Sequence, residues 1–168
     1  MKRIAALLVI TFFAVTFAYS QEGWIEHRAD NRISVKFPVE PVEKIPGSFI
    51  AITPDSTVAL VFTVVDFVQV ANIDSVALAP IKATPEFAAQ LKTGILQSMP
   101  DVDLSDFKIG TWNGFTSYTA NGVDPKMKKY DIFMFIIGNK LYSLSTIIEK
   151  GGSLQDRDEF FSSVTLSN

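Results

Sequence analysis

The side chains that could carry chemistry are few, and the single histidine is the first to consider. His27 is the only histidine, and the chain has no cysteine. A Ser-His-Asp triad or a histidine metal site would therefore have to include His27. Thiolate catalysis and cysteine-ligated metal sites are excluded. His27 lies in the hydrophilic segment EHRAD, which predicts an exposed histidine without a catalytic role.

A cluster of oxygen-bearing side chains, Asp101, Asp103, Ser105 and Asp106, has the alternating spacing of a calcium-binding loop. That motif requires glycine at its sixth position and glutamate at its twelfth, where this chain has Asp106 and Trp112. The segment therefore predicts a solvated loop, with a weak site for a hard cation as the alternative. The glycines form no GxGxxG or P-loop pattern. The sequence predicts no metal and no other cofactor.

Three carboxylates, Asp66, Asp101 and Asp131, are the candidates for catalysis if the protein is a hydrolase of the cell envelope. Such an activity would require two acids to converge in a cleft with their pKa values moved apart. The sequence leaves enzymatic activity open and favours a protein that is not an enzyme.

Four further residues are candidates for binding. Lys126, Lys128 and Lys129 form a small basic group just before the most apolar stretch of the chain, and Asn139 lies within that stretch. A run of lysines is typical of a solvated loop, although it could also steer an acidic partner. The chain has a net charge of −3, which argues against non-specific nucleic-acid binding.

Residues 1–20 have the features of a secretory signal peptide, with a basic start, an apolar run at 4–17 and a cleavage site after AYS. The run is shorter than the about 20 residues of a spanning helix, so cleavage is favoured over retention as an N-terminal anchor. We expect residues 21–168 to form a single exported domain, periplasmic or extracellular. Without disulfides, such a domain depends on its hydrophobic core alone.

The segment 130–148 is the element around which the domain is organised. Two apolar and aromatic runs flank Gly138-Asn139, which predicts a β-hairpin with a type II′ turn. Both faces of the first run are apolar, which predicts a strand in the middle of a sheet with a layer on each side. One face of the second run is less apolar and carries Leu141, Ser143, Ser145 and Ile147.

Other strands follow from the pattern of apolar residues. Residues 57–70 are also apolar on both faces and predict a central strand beside the hairpin. Asn113-Gly114 predicts a type I′ turn, and Asn121-Gly122 predicts a turn that ends the next strand. The lead-in at 21–31 is predicted to be mostly exposed. Shorter strands are predicted at 32–37, 48–53, 106–111, 115–120 and 163–166, with an extended edge strand or connector at 38–46.

Two helices, at 84–99 and 154–161, are predicted to cover the sheet. Thr84-Pro85-Glu86 combines an N-cap residue, proline at the first helical position and an acid in the first turn. Ser153 has the position of a second N-cap. Gly94 either weakens the first helix by about 1 kcal/mol relative to alanine or permits close packing against a strand.

The order of these elements resembles that of the PsbP/Mog1-like group and of exported bacterial domains that share its fold. The resemblance rests on residues 33–38 (ISVKFP), 138–144 (GNKLYSL) and 160–166 (FFSSVTL). It implies an α+β fold, an α/β/α sandwich around a central, mainly antiparallel sheet. It also implies an accessory or binding protein rather than an enzyme, and no set of functional residues carries over. A lipocalin-like barrel and a cystatin-like sheet are the alternative folds.

The sequence therefore favours an exported, non-enzymatic binding or accessory domain whose partner is a protein or a small hydrophobic ligand. The first alternative is the carboxylate-based hydrolase. The second is a module that associates with itself through an exposed sheet edge. We expect the functional surface at the two ends of the strand 130–137, near residues 124–129 and at the Gly138-Asn139 turn.

Overall fold

A computed structural model of the chain describes residues 23–167, so the predicted leader lies outside the described residues. The strands are β1 (Ile25–Arg28), β2 (Ile33–Phe37), β3 (Val42–Ile45), β4 (Ser48–Ile52), β5 (Val58–Asp66), β6 (Asp103–Leu104), β7 (Lys108–Trp112), β8 (Phe115–Val123), β9 (Lys129–Ile137), β10 (Lys140–Ile148) and β11 (Thr165–Leu166). The helices are α1 (Phe67–Ala71), α2 (Ser75–Leu78), α3 (Pro85–Ser98) and α4 (Leu154–Ser162).

A large central sheet has the strand order β3-β4-β5-β10-β9-β8-β6, with β7 also paired to β8. Every neighbouring pair of strands in it is antiparallel. The predicted α+β class with a mainly antiparallel sheet is therefore confirmed.

The β9–β10 hairpin lies in the middle of this sheet, as predicted. Gly138 has φ +62°, whereas Asn139 is not among the residues with positive φ, which agrees with a type II′ turn. Strand β5 pairs with the other side of β10, so that Leu144 lies between Phe62 and Phe133. The two strands with two apolar faces are thus one strand apart in the sheet.

The two predicted covering helices lie on opposite faces of the sheet. The face that carries Tyr118 and Met134 packs against α3 and is called the α3 face here. The face that carries Phe62 and Leu144 packs against α4 and is called the α4 face. Both faces are buried in the centre because each has its own layer, as an α/β/α sandwich requires.

A second, three-stranded sheet with the order β1-β2-β11 adds to the layer on the α4 face. Ile33, Val35 and Phe37 of β2 have no solvent exposure and join the core on that face. The lead-in contains a strand that the sequence did not predict, because β1 pairs with β2 along its whole length. Three of the four residues of β1 are nevertheless exposed, as expected for this segment.

The expectation of one long strand at 57–70 is corrected at its end. Strand β5 stops at Asp66, and α1 begins at once. The Asp66 carboxylate accepts a hydrogen bond from the Val68 N–H at 2.9 Å and caps the helix. Asn72 ends it in the left-handed conformation. The helix turns the chain out of the sheet at the end of β5, and the chain then continues through α2 to α3.

The two Asn-Gly pairs behave differently. Asn113 and Gly114 both have positive φ, which confirms the type I′ turn. The turn expected at Asn121-Gly122 is wrong, because β8 continues through it to Val123. A Cβ on Gly122 would lie 2.9 Å from the Asp103 carbonyl oxygen. Glycine is required there for the close approach of β6, which forms within the loop predicted at 101–105.

The long helix α3 begins as predicted, with the Thr84 hydroxyl accepting a hydrogen bond from the Phe87 N–H. Ser153 caps α4 in the same way, through the Asp156 N–H. The suggested close packing of Gly94 on a strand is wrong, since a Cβ there would meet nothing within 4 Å. Within residues 23–167, no helix has both the length and the apolar character needed to cross a bilayer.

Candidate functional site

A cleft of about 540 Å³ lies on the α3 face, between the C-terminal half of α3 and the sheet. This volume lies within the range of about 300–1,000 Å³ that small-molecule sites occupy. The cleft is lined by Ser48, Val61, Thr63, Val65, Phe67, Gln90, Leu91, Gly94, Ile95, Ser98, Met99, Tyr130, Ile132, Met134, Leu141, Ser143, Ser145 and Ile147.

The floor of the cleft is formed by the adjacent strands β5 and β10, with Ile132 and Met134 of β9 beside them. Val61, Thr63 and Val65 of β5 lie opposite Ser145, Ser143 and Leu141 of β10. Side chains that alternate along a strand share one face, so these six residues form a continuous surface. The two serines are small, which lowers the floor along its middle.

The roof of the cleft is the side of α3 that faces β5 and β10. Leu91, Ile95 and Met99 are half-buried there, in contact with the apolar cluster of this face. Gly94 lies between them with open space where a side chain would be. The combination of Gly94 above and the two serines below accounts for the empty volume.

Both ends of the roof are fixed. At the start of α3, Phe87 and Ala88 are buried, and the Phe87 ring lies 6.3 Å from that of Tyr118. After the helix, Val102 and Leu104 are buried, where β6 pairs with β8. The cleft is therefore held open by elements at its two ends.

The polar groups of the cleft are uncharged. The Ser48 and Thr63 hydroxyls are 3.0 Å apart and hydrogen-bond to each other. Across the described residues, the Ser143 and Ser145 hydroxyls have no hydrogen-bond partner from protein. Among residues 23–167, no Asp, Glu, Lys, Arg or His lines the cleft. The site can therefore bind an apolar molecule and offer it a few hydrogen bonds.

The apolar surface continues past the cleft along the α3 face towards the sheet edge. Val42 and Ile45 of β3 and Ile52 of β4 are 53%, 64% and 52% exposed. Pro41 and Pro46 flank β3. Because proline has no backbone N–H to donate, it protects an edge strand from pairing with another chain. The extended edge strand expected at 38–46 is present as β3.

The lysines predicted as binding residues lie around a tight loop before β9. The Asp124 carboxylate accepts hydrogen bonds from the backbone N–H groups of Lys126 and Lys128, at 2.9 Å each. The Lys128 ammonium is 2.5 Å from Glu149, and this hydrogen bond raises the pKa of Lys128. Lys126 and Lys129 are exposed. Lys128 has a structural partner here, and the binding role of the three lysines stays a prediction.

Asn139 lies at the other end of β9, about 30 Å from these lysines at the usual rise per residue of a strand. Its amide nitrogen donates to the Asp66 carboxylate at 2.6 Å, and its carbonyl accepts from the Phe67 N–H at 2.9 Å. Asn139 therefore joins the hairpin turn to the start of α1, and it does not form one site with the lysines.

The three carboxylates considered for hydrolysis do not converge. Asp66 lies opposite Lys140 and Asp131 opposite Thr146 on β10, which separates them by about 20 Å. Asp131 also pairs with Arg157 at 3.4 Å, and Asp101 is exposed beyond α3. The paired-acid geometry that hydrolysis requires is not formed by these residues.

The acidic segment after α3 also lacks the geometry of a cation site. Asp103 is part of β6, opposite Val123. Asp106 pairs with Lys92 at 2.8 Å, and this hydrogen bond lowers the pKa of the Asp106 carboxyl. Among residues 23–167, no three His, Cys, Asp or Glu side chains are grouped so that they could hold a metal ion.

His27 is half-buried rather than exposed, in contrast to the expectation from its hydrophilic neighbours. Its ring centroid lies 4.2 Å from that of Phe49 and 6.0 Å from that of Phe37. The Nε2 atom is buried and has no hydrogen-bond partner in the described part of the chain. The pairing of β1 with β2 turns this side chain onto aromatic rings, which no local pattern indicates.

No known sequence family matches the chain, and no curated protein is significantly similar in sequence. Solved structures are similar in fold. The solution structure of cyanobacterial PsbP (CyanoP) from Synechocystis sp. PCC 6803 superposes with a TM-score of 0.61 over 89% of this chain and 95% of that one, at 9% identity. The fold is PsbP-like. The fold resemblance inferred from the sequence is thereby confirmed.

A crystal structure from Bacteroides thetaiotaomicron VPI-5482 also has this PsbP-like arrangement. It matches 88% of this chain at 15% identity with a TM-score of 0.50, and the chain spans 50% of that structure's length. At such identities the similarity concerns the fold alone.

Sequence reasoning did not locate the cleft of this PsbP-like domain, although it noted its parts. The less apolar face of β10, with Ser143 and Ser145, and the glycine within α3 were the available signals. Their significance depends on Gly94 lying above those serines, and that alignment is set by the tertiary packing of α3.

Proposed function

We propose that this protein is a non-enzymatic binding domain that holds a small, largely apolar molecule between α3 and the central sheet. The observation that carries the proposal is the cleft itself, a volume of about 540 Å³ kept free by Gly94 and by the two serines of β10. The PsbP-like fold supports an accessory or binding role. The predicted leader supports binding outside the cytoplasm.

A small molecule is favoured over a protein segment as the occupant of the cleft. The space is bounded by the helix on one side and the sheet on the other, and the sheet side carries the hydroxyls of Ser143 and Ser145. Burying these hydroxyls beneath a purely apolar molecule would cost free energy. The ligand we expect has an apolar body for Val61, Val65 and Ile95 and at least one hydrogen-bonding group for Ser143 or Ser145.

Filling the space at Gly94 tests this proposal. The neutral fluorescent probe N-phenyl-1-naphthylamine has an apolar body and one N–H group, and we expect it to bind the unaltered protein at one saturable site. Gly94→Leu should weaken binding about tenfold or more, equivalent to about 1.4 kcal/mol, because the new side chain enters the cleft. Fluorescence titration measures the change.

Gly94→Ala is the matched control, since its single methyl group meets no atom within 4 Å. It should retain binding and raise the stability of the helix by about 1 kcal/mol. Circular dichroism and thermal unfolding establish that both variants are folded. Unchanged probe affinity in a folded Gly94→Leu protein, or binding that never saturates, would show that the cleft is not the site.

A further inference from the structure

The α4 face carries a second depression, on the opposite side of the sheet from the cleft. Helix α4 does not extend over β7 and β8, and the uncovered surface encloses about 510 Å³. We call it the aromatic groove. The side chains that line it include Lys108, Trp112, Thr119, Asn121, Phe133 and Phe161.

One side of the aromatic groove is formed by three half-buried aromatic rings, those of Trp112, Phe133 and Phe161. The Trp112 ring lies against Phe135, with centroids 4.3 Å apart and an interplanar angle of 34°. The ring centroid of Phe133 lies 6.2 Å from that of Trp112 and 6.2 Å from that of Phe161. Each ring is held by its neighbours, so the groove presents a fixed aromatic surface.

The floor beside these rings carries polar side chains in a regular arrangement. Lys108 lies opposite Thr119, and Asn121 lies opposite Asp131, so all four project from the same face. Over residues 23–167, the Lys108 ammonium, the Thr119 hydroxyl and the Asn121 amide have no hydrogen bond or ion pair with another side chain or with the backbone. The Trp112 indole N–H likewise has no acceptor among the residues that the structure describes. These donors and acceptors are available to a ligand.

A ligand that complements this groove has a flat apolar face and edges rich in hydroxyl groups. A wholly apolar molecule would leave the polar floor without partners, which is unfavourable. Asp131 and Asp158 both pair with Arg157. Together with Lys108 the local charges therefore balance, and they do not favour an anion. An uncharged pyranose ring fits both parts, with its C–H face on an aromatic ring and its hydroxyls on the floor.

From this geometry we infer that the aromatic groove is a binding site for a neutral oligosaccharide. Trp112 provides the stacking surface, and Asn121 and Thr119 bind the sugar hydroxyls. The site is independent of the cleft proposed above, because the central sheet separates the two.

Isothermal titration calorimetry on the protein with uncharged β-1,4-linked tetrasaccharides of glucose and of N-acetylglucosamine tests the inference. We expect saturable binding of at least one of them. Trp112→Ala should weaken that binding at least tenfold, and Asn121→Ala should weaken it severalfold. The asparagine side chain is exposed and makes no hydrogen bond within residues 23–167, so this variant remains informative if Trp112→Ala unfolds.

Gly94→Leu is the control for the other face of the sheet and should bind the tetrasaccharide like the unaltered protein. Its failure to bind the apolar probe would then be separable from any effect on sugar binding. The inference is overturned if neither tetrasaccharide gives saturable heat, if Asn121→Ala and folded Trp112→Ala bind the sugar unchanged, or if Gly94→Leu alone abolishes sugar binding.

Discussion

Asp30 accepts four hydrogen bonds, two of which join the loop after β1 to the central hairpin. Its carboxylate accepts from the Tyr142 hydroxyl at 2.6 Å, the Lys140 ammonium at 2.9 Å, and the backbone N–H groups of Arg32 and Ile33 at 2.8 and 3.1 Å. Burial raises the pKa of this carboxyl, but the hydrogen bonds, led by that of Tyr142, outweigh burial and lower the pKa from 3.8 to about 2. The charged form is therefore stabilised in the folded protein.

This pKa difference predicts a pH dependence of stability. Because the folded pKa lies below the unfolded one, the contribution of Asp30 is fully present above about pH 4 and is lost as the pH falls towards 2. Asp30→Asn should lower the free energy of unfolding by about 1 to 2 kcal/mol near neutral pH and by much less near pH 2. Urea unfolding at the two pH values measures this.

The exposed carboxylate Asp101 provides the control for this experiment. Asp101→Asn should change stability little at either pH, since surface charges without close partners contribute little. An equal loss of stability in Asp30→Asn at both pH values would contradict the assignment of the low pKa to these hydrogen bonds.

At the scale of elements, the contact between β6 and β8 fixes the end of the roof over the cleft. Strand β8 carries Gly122 opposite Leu104. A Cβ on Gly122 would lie 2.9 Å from the Asp103 carbonyl oxygen and 2.9 Å from a methyl group of Val102. Backbone atoms cannot move aside as a flexible side chain can, so the contact leaves no room for a methyl group.

Gly122→Ala is therefore expected to destabilise the protein by about 1 to 3 kcal/mol through overpacking, as measured by thermal or urea unfolding. Gly110→Ala in β7 is the matched control, because its Cβ would meet only the Ser117 hydroxyl, at 3.4 Å. That change should be neutral or slightly stabilising. Equal effects of the two substitutions would show that β6 can shift away from β8.

The sequence predicted the elements whose cause is local. The hairpin at Gly138-Asn139, the turn at Asn113-Gly114 and the start of α3 at Thr84 each depend on a few neighbouring residues, and all three are present. Asn121-Gly122 is the same residue pair as the turn at Asn113-Gly114. Its conformation is instead determined by β6, which pairs with this part of β8. Strand β1 is likewise formed by pairing with β2, and its own composition is hydrophilic.

At the scale of the whole molecule, the sheet separates two surfaces of different character. The cleft on the α3 face is apolar with hydroxyl groups, and the groove on the α4 face combines aromatic rings with polar side chains. Both are assembled from three or more elements that are distant in the chain. The sequence could predict that the sheet has a layer on each side, but not where those layers leave space. That depends on the lateral position of α3 and α4.

The anchoring of α3 at both ends has a kinetic consequence. With Phe87 and Ala88 buried at one end and Val102 and Leu104 at the other, the helix need not move before a molecule enters beneath it. In stopped-flow mixing with N-phenyl-1-naphthylamine, the observed rate should rise linearly with probe concentration in a single exponential phase. A rate that levels off at high concentration would mean that opening of the helix limits entry. In the Gly122→Ala protein, the contact that fixes one end of α3 is disturbed. A rate that levels off at high probe concentration is therefore expected in that variant.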